Sequence, residues 1–230
     1  MRLDLDIMIH REGFHLRCQT TFGPGTHVIS GPVGSGKTSL ALAVSSLLSY
    51  EGSIEMEGAE SVLMSFQFPE HHITAASVEG EVRSWGLDPD VVLPQAGLED
   101  RRGSDPLHLS RGNLKRLNLA CLLARDPDVL VLDEPFSSLD CVAKNRLCRA
   151  IESRSQSITL VFSHERCVLP RASTLSDIDS GALQHHGQVP DSITLWKGAP
   201  PYLREALQRG GMPENITLED AREALCRMRD

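Results

Sequence analysis

Residues 31–39 read GPVGSGKTS, a glycine-rich loop that ends in a lysine and two hydroxyl side chains. Glycines in such a loop let successive backbone N–H groups face an anion, and the dipole of a following helix adds positive potential. Lys37 would then reach the β- and γ-phosphates of a nucleotide, Thr38 would ligate Mg²⁺ and Ser39 would donate to the α-phosphate. The residues predicted to hold the nucleotide are Gly31, Pro32, Val33, Gly34, Ser35, Gly36, Lys37, Thr38 and Ser39.

Two adjacent carboxylates form the second candidate group. Asp133 and Glu134 follow the apolar run at 129–132, which predicts a buried parallel strand. Because α/β sheets bind ligands at the carboxyl ends of their strands, Asp133 is predicted to hold Mg²⁺ and Glu134 to polarise an attacking water. The alternative, two solvated acids at a strand end, is disfavoured by the glycine-rich loop upstream.

These groups require a sheet whose strands end beside the loop, and the periodicity of the chain predicts one. The predicted strands are 3–9, 14–22, 27–29, 61–66, 129–132, 158–162 and 174–178, and the predicted helices are 38–49, 77–85, 111–125, 142–153, 202–209 and 217–228. The first helix is expected to bury Leu47 on its apolar side, and Thr217 and Asp220 are spaced to cap the last one. Strands that alternate with helices imply a mainly parallel sheet with helices on both faces.

The composition limits the classes of protein to consider. The chain has 230 residues and a formal net charge of −8, which argues against general affinity for nucleic acid. Its six cysteines show no C-x-x-C spacing, which favours structural thiols in a reducing, cytoplasmic compartment. The sequence has no apolar run of about 18 residues, and its first ten residues alternate and carry aspartates, unlike a signal peptide.

Five short motifs follow one another along the chain. They are Gln67 in SFQFPE, Ser110-Arg111-Gly112-Asn113, Asp133-Glu134, Ser138-Leu139-Asp140 and His164 in VFSHE. In this order they resemble the Q-loop, signature loop, Walker B pair, D-loop and switch histidine of ABC-type ATPases. The resemblance extends to about residue 187. It implies an α/β P-loop NTPase with an antiparallel N-terminal β part and a small inserted helical subdomain.

The resemblance also implies roles for single residues. Gln67 would contact the metal ion or the attacking water, and His164 the γ-phosphate. Ser110 and Asp140, with Gly112 in the same signature loop, would serve the ATP of a second subunit in a head-to-tail dimer. The implied cofactors are therefore ATP and Mg²⁺. The implied partners are a second ABC ATPase subunit, identical or different, and a polytopic membrane transport subunit, with this chain peripheral on the cytoplasmic face.

A narrower resemblance lies in FQFPEHHI at residues 66–73. It is similar to the FQxPExQ loop of ATPases from energy-coupling-factor transporters, which import vitamins, cobalt and nickel, although His72 stands where glutamine is usual. The predicted division is an ATPase domain at 1–187, with a helical subdomain inserted at about 68–125, and a C-terminal helical extension at 188–230. The histidine pairs at 71–72 and 185–186 have no evident third ligand, so surface or loop roles are favoured over metal sites.

The signature loop departs from the family pattern at two positions. Arg111 replaces a glycine and Asn113 replaces a glutamine. A cation at a helix N-terminus is unfavourable by a few tenths of a kcal/mol. Arg111 either pairs with phosphate across a dimer interface or points to solvent and weakens the shared site. No tyrosine stands where adenine stacking is usual, and His10 and Phe14 are the candidate substitutes.

Two other functions remain open from the sequence. One is a soluble ABC ATPase that acts on another macromolecular complex instead of a transporter. The other is a small-molecule kinase, which explains the glycine-rich loop but leaves residues 110–140 and His164 without a role.

Overall fold

The computed structural model describes residues 1–11 and 13–228. Within them, nine strands and seven α-helices are joined by short loops and four 3₁₀ turns. The strands are β1 (Arg2–Arg11), β2 (Phe14–Phe22), β3 (Gly25–Ser30), β4 (Glu51–Glu57), β5 (Val62–Ser65), β6 (Val129–Asp133), β7 (Ile158–Phe162), β8 (Thr174–Asp179) and β9 (Ala182–Gln188). The helices are α1 (Lys37–Val44), α2 (Val78–Ser84), α3 (Pro89–Ala96), α4 (Arg111–Arg125), α5 (Cys141–Glu152), α6 (Pro201–Gln208) and α7 (Leu218–Cys226).

The strands form one mixed sheet in the order β4-β1-β2-β9-β8-β3-β7-β6-β5. From β8 to β5 all neighbours are parallel, whereas β1 is antiparallel to both β2 and β4, and β8 is antiparallel to β9. Every residue of β3, β6 and β7 is buried, as expected for parallel strands covered on both faces. The predicted fold class is confirmed.

Alternate residues of the central strands face two separate hydrophobic clusters. Leu130 and Leu132 of β6 pack in one with residues of α4, α5 and the last two helices, and Val129 and Val131 pack in the other with α1 and the antiparallel strands. A third cluster joins α2, α3 and α4, for example through Leu117. The apolar residues of the C-terminal helices therefore share a core with the sheet.

Helix α1 ends earlier than its apolar pattern predicts. It stops at Val44, and Ser46 adopts a left-handed conformation with φ 58°. The Leu47 N–H then donates back to the Leu42 carbonyl at 2.8 Å, which closes the helix end. Leu47 is 56% exposed, so its predicted place in the core is wrong.

Strands β4 and β9 were missed by periodicity. β4 is an edge strand of the sequence EGSIEME with no fully buried residue, and its apolar alternation is limited to two residues, Ile54 and Met56. β9 contains Gly187, a residue type that disfavours strands, yet this glycine pairs with Leu175 of β8. Cross-strand pairing outweighs local propensity in both strands. In contrast, the capping box predicted for Thr217 and Asp220 is confirmed at the start of α7.

Candidate functional site

The glycine-rich loop connects buried strand β3 to helix α1. The residue before the helix, Gly36, has φ 103°, and no side chain in the described part of the chain caps the helix start. The first-turn N–H groups have no partners within the helix, so they form a ready site for an anion. A Cβ atom at Gly36 would lie 2.4 Å from Cζ of Phe14, so only glycine fits beneath this ring.

The Lys37 ammonium is held inside this loop. Its Nζ donates to the Gly31 carbonyl at 2.8 Å and to the Pro32 carbonyl at 3.1 Å, and it lies 3.8 Å from Oε1 of Glu134. The lysine is buried. When a nucleotide binds, the ammonium can exchange these carbonyl oxygens for phosphate oxygens. The loop therefore suits phosphate binding without a movement of its backbone.

Asp133 and Thr38 together supply oxygen atoms for a metal ion. Thr38 Oγ1 donates to Asp133 Oδ2 at 2.7 Å, while Asp133 Oδ1 is buried and has no hydrogen-bond partner in the described residues. Burial raises the pKa of Asp133, and the Thr38 hydrogen bond opposes that shift. A buried carboxylate oxygen without a partner is costly, and a hard cation with oxygen ligands satisfies it. This donor set fits Mg²⁺.

Glu134 is fixed in an unusual backbone conformation beside these groups. Its φ is 48°, a left-handed value that non-glycine residues adopt where surrounding contacts enforce it. Its N–H donates to the Phe162 carbonyl at 2.8 Å, and its Oε1 accepts a hydrogen bond from His164 Nδ1 at 2.7 Å. The buried carboxylate therefore lies between Lys37 and His164.

A cavity of about 390 Å³ collects most of the predicted site residues. It is lined by Arg11, Phe14, Val33, Gly34, Gly36, Lys37, Thr38, Ser39, Gln67, Glu134 and His164. Arg11 was not predicted. Only the structure shows that Arg11 belongs to this site, because it places Arg11 opposite Phe14 in the β1–β2 hairpin. Of the two candidates for adenine stacking, Phe14 lines the cavity, whereas His10 is exposed with Nε2 3.8 Å from a Glu51 carboxylate oxygen.

Ser110, Gly112 and Asp140 lie outside this cavity. Ser110 caps α4 by accepting from the Asn113 N–H at 3.3 Å, and Asp140 caps α5 by accepting from the Ala143 N–H at 2.8 Å. Both capping residues are exposed. The two helix starts thus present a face that is separate from the chain's own nucleotide cavity.

Gly112 touches the turn before Asp140, which leads to a first prediction. A Cβ at Gly112 would lie 2.6 Å from the Ser138 carbonyl oxygen. We expect Gly112→Ala to lower the free energy of unfolding by about 1–3 kcal/mol, because α4 must move from that turn. Gly103→Ala is the matched control, since its Cβ would meet no atom of residues 1–11 and 13–228 within 4 Å. Urea unfolding of both variants measures the effect, and equal stabilities would refute it.

A buried lysine was not found by sequence reasoning. Lys115 of α4 is 1% exposed, and its Nζ donates to the Phe66 carbonyl at 3.1 Å. Burial lowers the pKa of Lys115 to about 8, against the attraction of Asp133 and Glu134. The only hint in the sequence is a lysine on the apolar face of the predicted helix.

Neither histidine pair lies wholly in surface or loop positions, so that expectation needs correction. His72 is half-buried against Phe66, and its Nε2 accepts from the Phe66 N–H at 3.2 Å. Burial lowers the pKa of His72 to about 4, so the ring is neutral at pH 7 and free to accept. His186 lies on β9 with its side chain 12% exposed, and its Nε2 is 2.8 Å from Asp177 Oδ2.

Three features lie together at the carboxyl ends of the parallel strands: a glycine-rich loop, a helix start without a side-chain cap and a pair of carboxylates. They define a P-loop protein that binds nucleoside triphosphates. Comparison with known proteins assigns the chain to a family within this class. The family model described as ABC transporter matches residues 18–137, and the chain belongs to this family of ATPases. Among the described residues, no helix is both long and apolar enough to cross a membrane.

Individual relatives show which members of the family the chain is similar to. The energy-coupling factor transporter ATP-binding protein EcfA1 of Thermotoga maritima is 32% identical over 206 residues, which are 74% of this chain and 79% of that protein. A solved candidate cobalt transport ATP-binding protein shares the fold, with a TM-score of 0.68, 24% identity and coverage of 85% and 82% of the two chains. The protein cbiO1 from Clostridium perfringens, described as part of the ABC transporter complex cbiONQ, gives a TM-score of 0.64, 18% identity and coverage of 84% and 93%.

Proposed function

We propose that this chain is the ATP-hydrolysing subunit of an importer of the energy-coupling-factor type. The observation that carries the proposal is the placement of Glu134 between Lys37 and His164, next to an Asp133 oxygen that has no hydrogen-bond partner among the described residues. This arrangement supplies a base for water beside a metal site and a phosphate site. The likeness to a transporter ATP-binding protein supports the transport role.

In the proposed reaction the tasks are divided among the groups of this site. Residues 31–39 hold the phosphates through backbone N–H groups and Lys37. Asp133 and Thr38 would hold Mg²⁺, which would neutralise phosphate charge, and Gln67 would contact the metal ion or the attacking water. Glu134 accepts the proton of that water. His164 orients the Glu134 carboxylate and contacts the γ-phosphate.

We further propose that two ATPase subunits pair head to tail. Ser110 and Asp140 are exposed at helix starts outside the chain's own cavity, which supports their action on the ATP of the second subunit. Gly112 lets the signature loop approach the Ser138 turn on that same face. Closure on ATP and opening after hydrolysis would move a polytopic membrane subunit, with the chain peripheral on the cytoplasmic face.

This proposal keeps the predicted division of the chain. The ATPase domain is 1–187, with its helical subdomain at about 68–125, followed by the extension at 188–230. The sharing of one hydrophobic cluster by α6, α7 and the sheet supports a firmly attached extension. Nucleic acid is not among the proposed partners, because the net charge is −8.

Affinity purification of the tagged chain from detergent-solubilised membranes of its source tests the transport role. We expect a polytopic membrane protein to co-purify in fixed ratio and to raise the rate of phosphate release. Recovery of only soluble partners, with no ATPase in the membrane fraction, would favour the alternative of a soluble ABC ATPase.

Arg111 leads to a second prediction, about the composition of the dimer. Arg111 is exposed at the first position of α4, where a cation opposes the helix dipole. We therefore expect the purified chain alone to hydrolyse ATP slowly, and Arg111→Gly to raise its turnover several-fold. Steady-state phosphate release over a range of protein concentrations measures both. Fast cooperative hydrolysis by the single unmodified chain would count against a mixed dimer.

A further inference from the structure

Lys115 is a buried cation with an unexplained place in the fold. It lies one turn into α4, and in the described part of the chain no carboxylate oxygen comes within 4 Å of its ammonium. Its one hydrogen bond there goes to the Phe66 carbonyl. Removing an ammonium from water costs several kcal/mol. An apolar side chain would pack at this place with less cost, so the ammonium itself needs a reason.

That reason lies in the peptide that leads to Gln67. Phe66 is held on both sides, because its N–H donates to His72 and its carbonyl accepts from Lys115. Gln67 is exposed in the nucleotide cavity, and within the described residues its side chain makes no hydrogen bond. The direction in which the Gln67 side chain points therefore depends on these two hydrogen bonds to the Phe66 backbone.

Three segments that take part in the proposed cycle meet near this hydrogen bond: the peptide at Gln67, helix α4 and the Ser138 turn. A cavity of about 140 Å³ is lined by Gln67, Arg111, Lys115 and Ser138, together with residues 68–70 and 137. Lys115 belongs to helix α4, which Ser110 caps, and the Ser138 turn leads to Asp140. The Lys115 hydrogen bond thus links helix α4 directly to Phe66, the residue before Gln67.

We propose that Lys115 is a positioning residue for ATP hydrolysis, whose hydrogen bond to the Phe66 carbonyl holds Gln67 in the nucleotide cavity, where Gln67 would contact the metal ion or the attacking water. This inference rests on the role proposed above for Gln67. Displacement of α4, on pairing with a second subunit or a membrane partner, pulls on the peptide before Gln67 and so alters catalysis.

A double-mutant cycle tests the link in the full-length protein, together with its partner subunits if these are needed for turnover. Lys115→Met should lower kcat about 10–100-fold, because small misplacements of catalytic groups have effects of this size, and should change the Kd for ATP by less than about threefold. In a Gln67→Ala background, Lys115→Met should lower kcat less than about twofold further, since coupled residues are not additive.

Two control variants separate positioning from packing. Lys115→Gln retains an N–H donor and should recover most of the turnover lost in Lys115→Met. Arg125→Met removes an exposed cation from the same helix and should leave kcat unchanged. Lys115→Leu repeats the cycle with another apolar side chain if the methionine variant does not fold.

Each outcome bears on a different statement. Equal losses of kcat from the Lys115 substitution with and without Gln67, or normal turnover in folded Lys115→Met, would overturn the positioning role. Normal turnover by Gln67→Ala alone would contradict the role proposed for Gln67, and with it the path through which Lys115 acts. A large loss in both single variants and no further loss in the double variant supports the link.

Discussion

Replacement of Glu134 by glutamine should leave ATP bound and nearly abolish its hydrolysis. Glutamine keeps the shape of the side chain and an oxygen that accepts from His164 Nδ1, now 2.7 Å from the carboxylate, but it cannot take a proton from water. Removal of a general base lowers rates on the order of 10²–10⁴-fold, so kcat should fall by that factor. Phosphate release measures turnover, and equilibrium binding of a fluorescent ATP analogue measures affinity.

The same variant should also trap the closed dimer. If closure requires ATP and opening requires hydrolysis, Glu134→Gln with ATP and Mg²⁺ should elute as a dimer in size-exclusion chromatography, in the presence of its partner subunit if the pair is mixed. Glu99→Gln, which alters an exposed carboxylate in the inserted helical region, is the matched control and should turn over normally. Turnover within threefold of normal in Glu134→Gln would show that another group activates the water.

Asp133→Asn should lower turnover and, without nucleotide, raise stability. The loss of one carboxylate charge weakens Mg²⁺ binding, and metal stabilisation of the transition state amounts to several kcal/mol, so kcat should fall about a hundredfold or more. Asparagine still offers an oxygen to Thr38 Oγ1, now 2.7 Å from Asp133 Oδ2. Titration of activity with Mg²⁺ should show a higher requirement than in the unchanged protein.

The stability effect follows from the direction of the pKa shift. Burial raises the pKa of Asp133 in the folded protein above its usual value, so the ionised carboxylate is less favourable folded than unfolded. Its contribution lowers stability at neutral pH, and the loss disappears as pH falls below the usual value. Asp133→Asn should therefore have a larger free energy of unfolding at pH 7, and the advantage should shrink in acid.

Two comparisons give this prediction a firm control. Asp100→Asn changes an exposed carboxylate and should leave both stability and turnover unchanged. With saturating ATP and Mg²⁺ the order should reverse, because ligand binding stabilises the unchanged protein more than the variant. A lower stability of Asp133→Asn without nucleotide would mean that the carboxylate is satisfied in the folded protein by a group other than a metal ion.

Local sequence was sufficient for the parts of the fold that depend on near neighbours. The bounds of β2, α4 and β7 follow from periodicity, and the Ser110 cap follows from one hydroxyl three residues before an N–H. The glycine-rich loop is equally local, because its backbone conformation depends on glycines within a few residues. Periodicity failed at β4 and β9, since their pairing partners, β1 and β8, supply most of what fixes them.

The chemical class of this protein was determined by its sequence alone, whereas the arrangement of the groups was decided by the tertiary structure. Order and spacing of motifs indicate an ABC ATPase, because loop, strand end and helix start each carry their chemistry in contiguous residues. The left-handed Glu134, the Asp133 oxygen without a partner among the described residues and the buried Lys115 all lie in contacts with residues 30 to 95 positions away along the chain. Burial and hydrogen bonding between distant segments create them, and no local pattern encodes such contacts.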